Sequence, residues 1–362
     1  MTYRNLLFNG LKFLLFLAIG LGILYLVYRN QAAAFQEDCA LKGIPAADCS
    51  LLRKVWNDFR GINYFWILMV FVAYAVSNIS RAIRWNMLLQ SLHYQPRFIN
   101  GFLTIIIGYF ANLGLPRMGE LVRAGAMARY EGIPVEKVIG TVVVDRIVDV
   151  LSILLLTALA LLLDFGTLRA FADEHINLST RLGNSNILLY LLLGAIVMGF
   201  VLFTLRARII RLAVVQKVVQ IARGFVQGLQ TVSQLKRPWL FIFHSINVWL
   251  MFFLMGYFCF LAFAPTAGLG PVAALTSFVF GAWGMVIPSP GGMGTYHFMM
   301  QLALGFYGIS GDDGFSFANI SFFSVQLGCN ILWGLLALLL LPVLNRNYRP
   351  DTSAKSQPAN LE

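Results

Sequence analysis

Sustained polar sequence is what this chain lacks. Only 12% of its 362 residues are charged, about half the share of a soluble domain. The longest polar stretch runs from about Arg29 to Gly61, so no soluble domain fits between the apolar runs. Histidine and cysteine are scarce, four of each. His93, His175, His244 and His297 form no H-x-x-x-H or similar pair, so the sequence offers no metal site. There is no G-x-x-x-x-G-K-S/T phosphate loop and no G-x-S-x-G nucleophile elbow. These absences exclude a soluble-type catalytic site and an ATP-driven pump, and they leave no cofactor to expect. The excess charge of +11 comes without a soluble basic face carrying interleaved aromatics, which excludes nucleic acid as a partner.

What is there is hydrocarbon. Apolar residues make up 59% of the chain, and runs long enough to cross a ~30 Å hydrocarbon core recur throughout it. Run length predicts spanning helices near Leu6–Tyr28, Ile62–Ser80, Val138–Leu163, Ile187–Leu205, Trp239–Phe263 and Phe315–Leu341. The first run is longer than the roughly 7–15-residue core of a cleavable signal and is read as a retained helix. Two further apolar segments behave differently. Phe98–Leu115 and Pro271–Ile287 end in Leu115-Pro-Arg-Met-Gly119 and Pro288-Ser-Pro-Gly-Gly-Met-Gly294. Each is followed by a moderately apolar helix, about Met118–Tyr130 and Thr295–Tyr307. Proline removes a backbone donor and glycine frees the chain, so both breaks are poor continuous helix. Broken backbone survives at membrane depth only inside protein or beside a water-filled cavity.

The expected fold is an all-α polytopic membrane protein with about six full transmembrane helices and two re-entrant or broken helical hairpins. Residues 1–344 form one integral membrane domain, and residues 345–362 a polar tail. Both breaks carry proline followed closely by Met-Gly. That is either the mark of an inverted-repeat transporter, with one broken helix dipping from each side, or a chance likeness of two Pro/Gly segments.

Charge bias orients the bundle. With both termini in the cytoplasm, 19 of the 27 basic residues fall inside, Arg81, Arg84 and Arg97 among them, as the positive-inside rule requires. Cys39 and Cys49 then share an outside loop, where they either form a disulfide or stay unpaired. Cys259 and Cys329 lie alone in apolar runs and read as packing residues.

Charges inside apolar sequence are expensive and are rarely kept without a partner or a task. Arg117, beside Pro116, either chelates a lipid phosphate through its planar fork or snorkels to the interface. Glu120 and Arg123 stand at i,i+3 and can pair on one face, either as a structural contact that holds the hairpin or as part of a substrate site. Asp145, Arg146 and Asp149 open the next long run. That group neutralises Arg117 or Arg123 across the bundle, carries a coupling proton, or is a structural ion pair. Gly291, Gly292 and Gly294 permit close backbone approach to a headgroup, with amides at a half-helix start. His297 is a proton carrier or a packing residue.

Asn112-Leu-Gly-Leu-Pro-Arg-Met-Gly-Glu-Leu-Val-Arg123, Asp145-Arg-Ile-Val-Asp149 and Pro288-Ser-Pro-Gly-Gly-Met-Gly-Thr295 resemble, in order, hallmark segments of the lysylphosphatidylglycerol synthase transmembrane-region family. The family includes the flippase half of the bacterial multiple peptide resistance factors and many stand-alone membrane proteins. The resemblance runs from the first helix to about Leu344. Its shared positions are Pro116, Arg117, Gly119, Glu120, Arg123, Asp145, Arg146, Asp149 and the loop from Pro290 to Gly294. It implies translocation of a polar anionic lipid, such as an aminoacylated phosphatidylglycerol, between the leaflets of a bacterial inner membrane. Two departures qualify it: only a polar tail follows Leu344 where the synthases carry an aminoacyltransferase domain, and His297 stands where a glutamate is more usual. The resemblance therefore implies a flippase or scramblase of a phosphate-bearing lipid that does not itself synthesise that lipid. Arg117 and Arg123 would engage the phosphate, and Glu120 with the Asp145–Arg146–Asp149 group would hold the site. Two other readings stay open: a membrane-embedded enzyme acting on a polyprenyl-phosphate or phospholipid, and an accessory subunit of a separate lipid-modifying enzyme. A homo-oligomer is also left open.

Overall fold

The computed structural model describes residues 49–114, 118–176, 235–287 and 292–350, with parts of 18–41 and positions 45 and 232. Pro116, Arg117, Pro290 and Gly291 lie outside the described residues, as do the expected helix Ile187–Leu205 and most of Leu6–Tyr28. The bundle is built from α1 (Leu51–Gly61), α2 (Tyr64–Ser91), α3 (Phe98–Gly114), α4 (Gly119–Glu131), α5 (Val135–Leu163), α6 (Phe165–Ile176), α7 (Pro238–Ala262), α8 (Pro271–Val286), α9 (Thr295–Gly305), α10 (Gly311–Phe322) and α11 (Asn330–Leu344). A π-helical stretch, Phe323–Cys329, joins α10 to α11. Among the described residues α2, α5, α7 and the α10–α11 unit are long and apolar enough to cross a membrane. The chain is an all-α polytopic membrane protein.

Local chemistry sets the helix limits. Ser50 caps α1 by accepting from the Arg53 amide, and Asn63 caps α2 by accepting from the Phe65 amide. Gly132, at φ 63°, ends α4 in the left-handed conformation that glycine adopts without penalty. α3 and α8, at 17 and 16 residues, reach only about 25 Å at 1.5 Å per residue. Each then folds back along the helix that follows it.

These two hairpins open on opposite sides of the bundle. On one side Asn100, at the start of α3, exchanges side-chain hydrogen bonds of 2.9 and 2.7 Å with Asn345 at the end of α11. There Asn100 and Tyr348 also donate to Glu131, the last residue of α4. On the other side the Asn63 amide donates to the Ala262 carbonyl at 2.9 Å, joining the start of α2 to the end of α7. Asp164, just past α5, accepts from Thr276 of α8 at 2.7 Å and from Tyr307 just past α9. The α3–α4 hairpin is thus tied at its base on the first side and the α8–α9 hairpin on the second.

Glycine zips both hairpins. A Cβ on Gly119 would run into the Gly108 carbonyl, and one on Gly284 would lie 2.9 Å from the Thr295 carbonyl. Close helix contact of this kind requires small residues. The two largest apolar clusters divide in the same way. Trp85, Leu88, Met127 and Phe241 pack on the first-hairpin side, and Val70, Phe260, Leu304 and Phe317 on the second.

On the second side Cys39 and Cys49 are joined, closing the alternative left open by the sequence. α1 docks onto α10 through Lys54, which bonds Asp58 at 2.9 Å and Asp313 at 2.6 Å. Burial lowers the basicity of Lys54, but hydrogen bonds to these carboxylates outweigh it and hold the ammonium above its ordinary pKa.

One expected boundary was short. α2 runs on to Ser91 instead of stopping near Ser80, because the apolar pattern continues through Ala82, Trp85 and Leu88–Leu89, all buried.

Gly119→Ala should cost about 1–3 kcal/mol by overpacking. Gly125→Ala, on the same helix with nothing within 4 Å of its would-be Cβ, should be neutral or stabilising. Thermal unfolding of both variants in detergent checks this, and equal midpoints would contradict the zipped-hairpin account.

Candidate functional site

α2 carries Ser77, Asn78, Arg81 and Arg84 on one helical face, all buried. α5 presents Asp145 and Asp149, at i,i+4, to that face, and α4 adds Arg123 from the first hairpin. Arg81 grips Asp149 with both terminal nitrogens, at 2.8 and 3.2 Å, and reaches Asp145 at 3.3 Å. Arg84 bonds Asp149 at 2.8 Å and also bonds Asp145. Arg123 bonds Asp145 at 3.0 Å and stacks over Trp85, 5.0 Å from the ring centre. The five side chains are between 0 and 7% exposed as residues, so water supplies almost none of their solvation.

Burying such ions costs several kcal/mol each, and only dense mutual pairing offsets it. Asp145 meets that condition by accepting from three guanidinium groups. Asp145 lies ten residues into α5 and Arg81 ten residues before the end of α2, roughly 15 Å at 1.5 Å per residue. That places both well inside helices long enough to cross a membrane.

Arg146 behaves differently. It bonds Glu120 at 2.7 Å and Asp149 at 3.4 Å, with its side chain 39% exposed. Four arginines therefore face three carboxylates among the described residues, leaving one positive charge in excess. Beside them lies a cavity of about 390 Å³, walled largely by the second-side apolar core. Arg81, Arg146 and Asp149 line one end, and the walls are mostly apolar, with Phe252, Met255 and Phe278 prominent. The Nε atoms of Arg81 and Arg146 find no acceptor among the described residues. With its side chain partly exposed at the cavity edge, Arg146 puts the excess positive charge where an anion can reach it.

The Glu120–Arg123 pair does not form. α4 packs against α5, so each partner finds an opposite charge across that interface: Glu120 meets Arg146, and Arg123 meets Asp145. Neutralisation of Arg123 by the α5 carboxylates, one of the alternatives read from the sequence, is observed. Gly292 and Gly294 hold φ of 81° and 83°, and a Cβ on Gly292 would lie 2.9 Å from Met285. His297 is 1% exposed, packs 4.8 Å from the Phe322 ring and lies outside the cavity lining.

Arg81 and Arg84 are the residues the sequence reading missed. They were assigned to a cytoplasmic loop, whereas both stand inside α2 and with Arg123 leave the interfacial charge tally. The spacing 77, 78, 81 and 84 on one face was the available signal.

A family model described as the lysylphosphatidylglycerol synthase TM region matches residues 49–347. A UPF0104 membrane protein of Methanocaldococcus jannaschii is 29% identical over 109 residues, covering 29% of this chain. The match spans 32% of that relative's length. No solved structure matches.

Asp145→Asn takes from Arg123 its carboxylate partner and leaves Arg81 and Arg84 to share Asp149, and it should destabilise the protein by about 3–5 kcal/mol. Arg146→Gln, at the exposed edge, should cost no more than about 1 kcal/mol. Thermal unfolding in detergent ranks the two, and a reversed order would show that Asp145 does not hold the cluster together.

Proposed function

This chain belongs to the lysylphosphatidylglycerol synthase transmembrane-region family, and from that premise we propose that it moves a lipid bearing an anionic phosphate between membrane leaflets. The observation that carries this reading is the arginine-rich cluster of net positive charge beside a mostly apolar cavity, between hairpins that open on opposite sides. A phosphate crossing hydrocarbon must exchange water for donors, and charge-assisted bonds to arginine are among the strongest substitutes. Arg146 is the exchangeable member. Its 3.4 Å bond to Asp149 is long, and its Glu120 partner is itself partly exposed. Arg81, Arg84 and Arg123 are committed to carboxylates and act as the scaffold. Arg117, in the first break, is the second proposed phosphate ligand.

In this reading the first-hairpin side faces the cytoplasm of a bacterial inner membrane, with both termini on that side. Arg97, Arg129, Lys137, Lys236 and Arg237 flank it, whereas Asp164, Asp312 and Asp313 flank the other. The Asp145–Asp149 pair serves as structural counter-charge rather than as a proton carrier, because both carboxylates are engaged by arginines. Movement without a coupled gradient or a lipid sink equilibrates the leaflets.

Proteoliposomes containing fluorescent phosphatidylglycerol test the proposal. An impermeant quencher destroys only outer-leaflet dye, so loss beyond half the signal reports translocation. Wild type should exceed that limit and an Arg117→Ala/Arg146→Gln double variant should stop at it, with the lipid recovered chemically unchanged. Arrest of both at half, or a modified lipid, would reject translocation in favour of lipid chemistry.

A further inference from the structure

One neutral side chain on the cavity wall keeps its hydrogen-bond donor on a weak acceptor. Resting on the phosphate-lipid reading above, we infer that Gln326 is a specificity-determining residue, which binds a hydroxyl group carried by the lipid headgroup beyond its phosphate. The substrate class is then a phosphodiester lipid with a hydroxylated headgroup, rather than any anionic lipid.

The first ground is the direction of a hydrogen-bond chain. The Tyr74 hydroxyl donates to the Asn330 side-chain oxygen at 2.7 Å, and the Asn330 amide nitrogen donates to Gln326 Oε1 at 2.8 Å. A phenol has one proton to give, so Tyr74 fixes which way both amides point. Gln326 Nε2 is left at the outer end, where it donates to the Met285 sulfur at 3.1 Å. A thioether is a weak acceptor, which a ligand oxygen readily displaces. Tyr74 and Asn330 are buried, whereas Gln326 is partly exposed and is the end of the chain that a ligand reaches.

The second ground is the backbone that carries it. Gln326 stands in the π-helical stretch Phe323–Cys329, and wide turns of this kind recur at functional sites. Val325 and Gln326 line the cavity from that stretch. The hydroxyls nearby on the wall are already committed. Ser321 donates to the Phe317 carbonyl at 2.9 Å, so the 2.8 Å bond between Tyr296 and Ser321 uses the Tyr296 proton.

The third ground is spacing. Tyr74 and Arg81 lie seven residues apart on one face of α2, roughly 10 Å, and both line the cavity with Arg146 and Gln326. Arg81 belongs to the charged edge and Tyr74 to the amide chain, so one cavity offers a cationic site and a neutral one. A phosphate is served better by Arg146 than by an amide. A hydroxyl suits Gln326, because it both donates and accepts. Gln326 offers Nε2 as donor and the second lone pair of Oε1 as acceptor, whereas an ester carbonyl could use only the donor.

Phosphatidylglycerol and phosphatidylethanol with the same acyl-chain dye carry the same charge, and only the first has headgroup hydroxyls. Initial translocation rates are measured for both in proteoliposomes. Wild type should move phosphatidylglycerol about fivefold faster, the worth of one neutral hydrogen bond. Gln326→Leu should bring phosphatidylglycerol down to the phosphatidylethanol rate and leave the latter within twofold. Met285→Leu, which removes the resting acceptor but keeps the donor, should retain the fivefold preference. Arg146→Gln should slow both lipids alike. Equal rates in wild type, an equal fall of both lipids in Gln326→Leu, or loss of the preference in Met285→Leu overturns the role of Gln326 alone. Movement of neither lipid by wild type, or of both unchanged by Arg146→Gln, overturns the phosphate reading beneath it.

Discussion

Asp145 holds this structure together. Fully buried, it accepts from guanidinium groups on two other helices, Arg81 and Arg84 of α2 and Arg123 of α4. Arg123 has no other carboxylate among the described residues, Arg81 and Arg84 share Asp145 with Asp149, and Asp145 could not stand there without them. The consequences spread outward. Arg123 draws the first hairpin against α5, and the glycine contact between Gly108 and Gly119 lets α3 follow closely behind. With the inner charges committed, the excess positive charge falls to Arg146 at the cavity edge, where a ligand can compete for it.

The rims of the bundle follow a different chemistry. Glu131 at the base of the first hairpin accepts from Asn100, Tyr348 and the Arg97 amide. Asp164 at the base of the second accepts from Thr276 and Tyr307. Among the described residues neither carboxylate is in ion-pair contact with a cation. Neutral donors give each hairpin a tie worth about 1.5–3 kcal/mol per bond to a charged group. The charge-dense centre resists disruption more strongly, because breaking one partner strands the others. The centre is therefore built to stay fixed while the hairpin bases have weaker restraints.

Much of this was legible in the residues. The Pro/Gly breaks after Leu115 and Ile287 announced the hairpins because proline and glycine act locally, through backbone donors and φ. Asp145, Arg146 and Asp149 stood out because charge in an apolar run has few innocent explanations. Arg81 and Arg84 were lost because they lie near the end of a run, where an arginine inside a helix and one at the interface look alike until the partner across the bundle is known. The Glu120–Arg123 pairing failed for a related reason. Spacing shows which residues share a helix face, but not that α5 offers each of them a better partner. The cavity was illegible altogether, being assembled from α2, α5, α7, α8, α9, α10 and the π-helical stretch, with one residue each from α3 and α11.

The most direct test is to see where the phosphate sits. Electron cryo-microscopy of the protein in nanodiscs containing anionic phospholipid should show phosphate density within hydrogen-bond distance of Arg146, at the charged edge of the cavity. An empty cavity with lipid phosphates confined to the two rims would contradict the account.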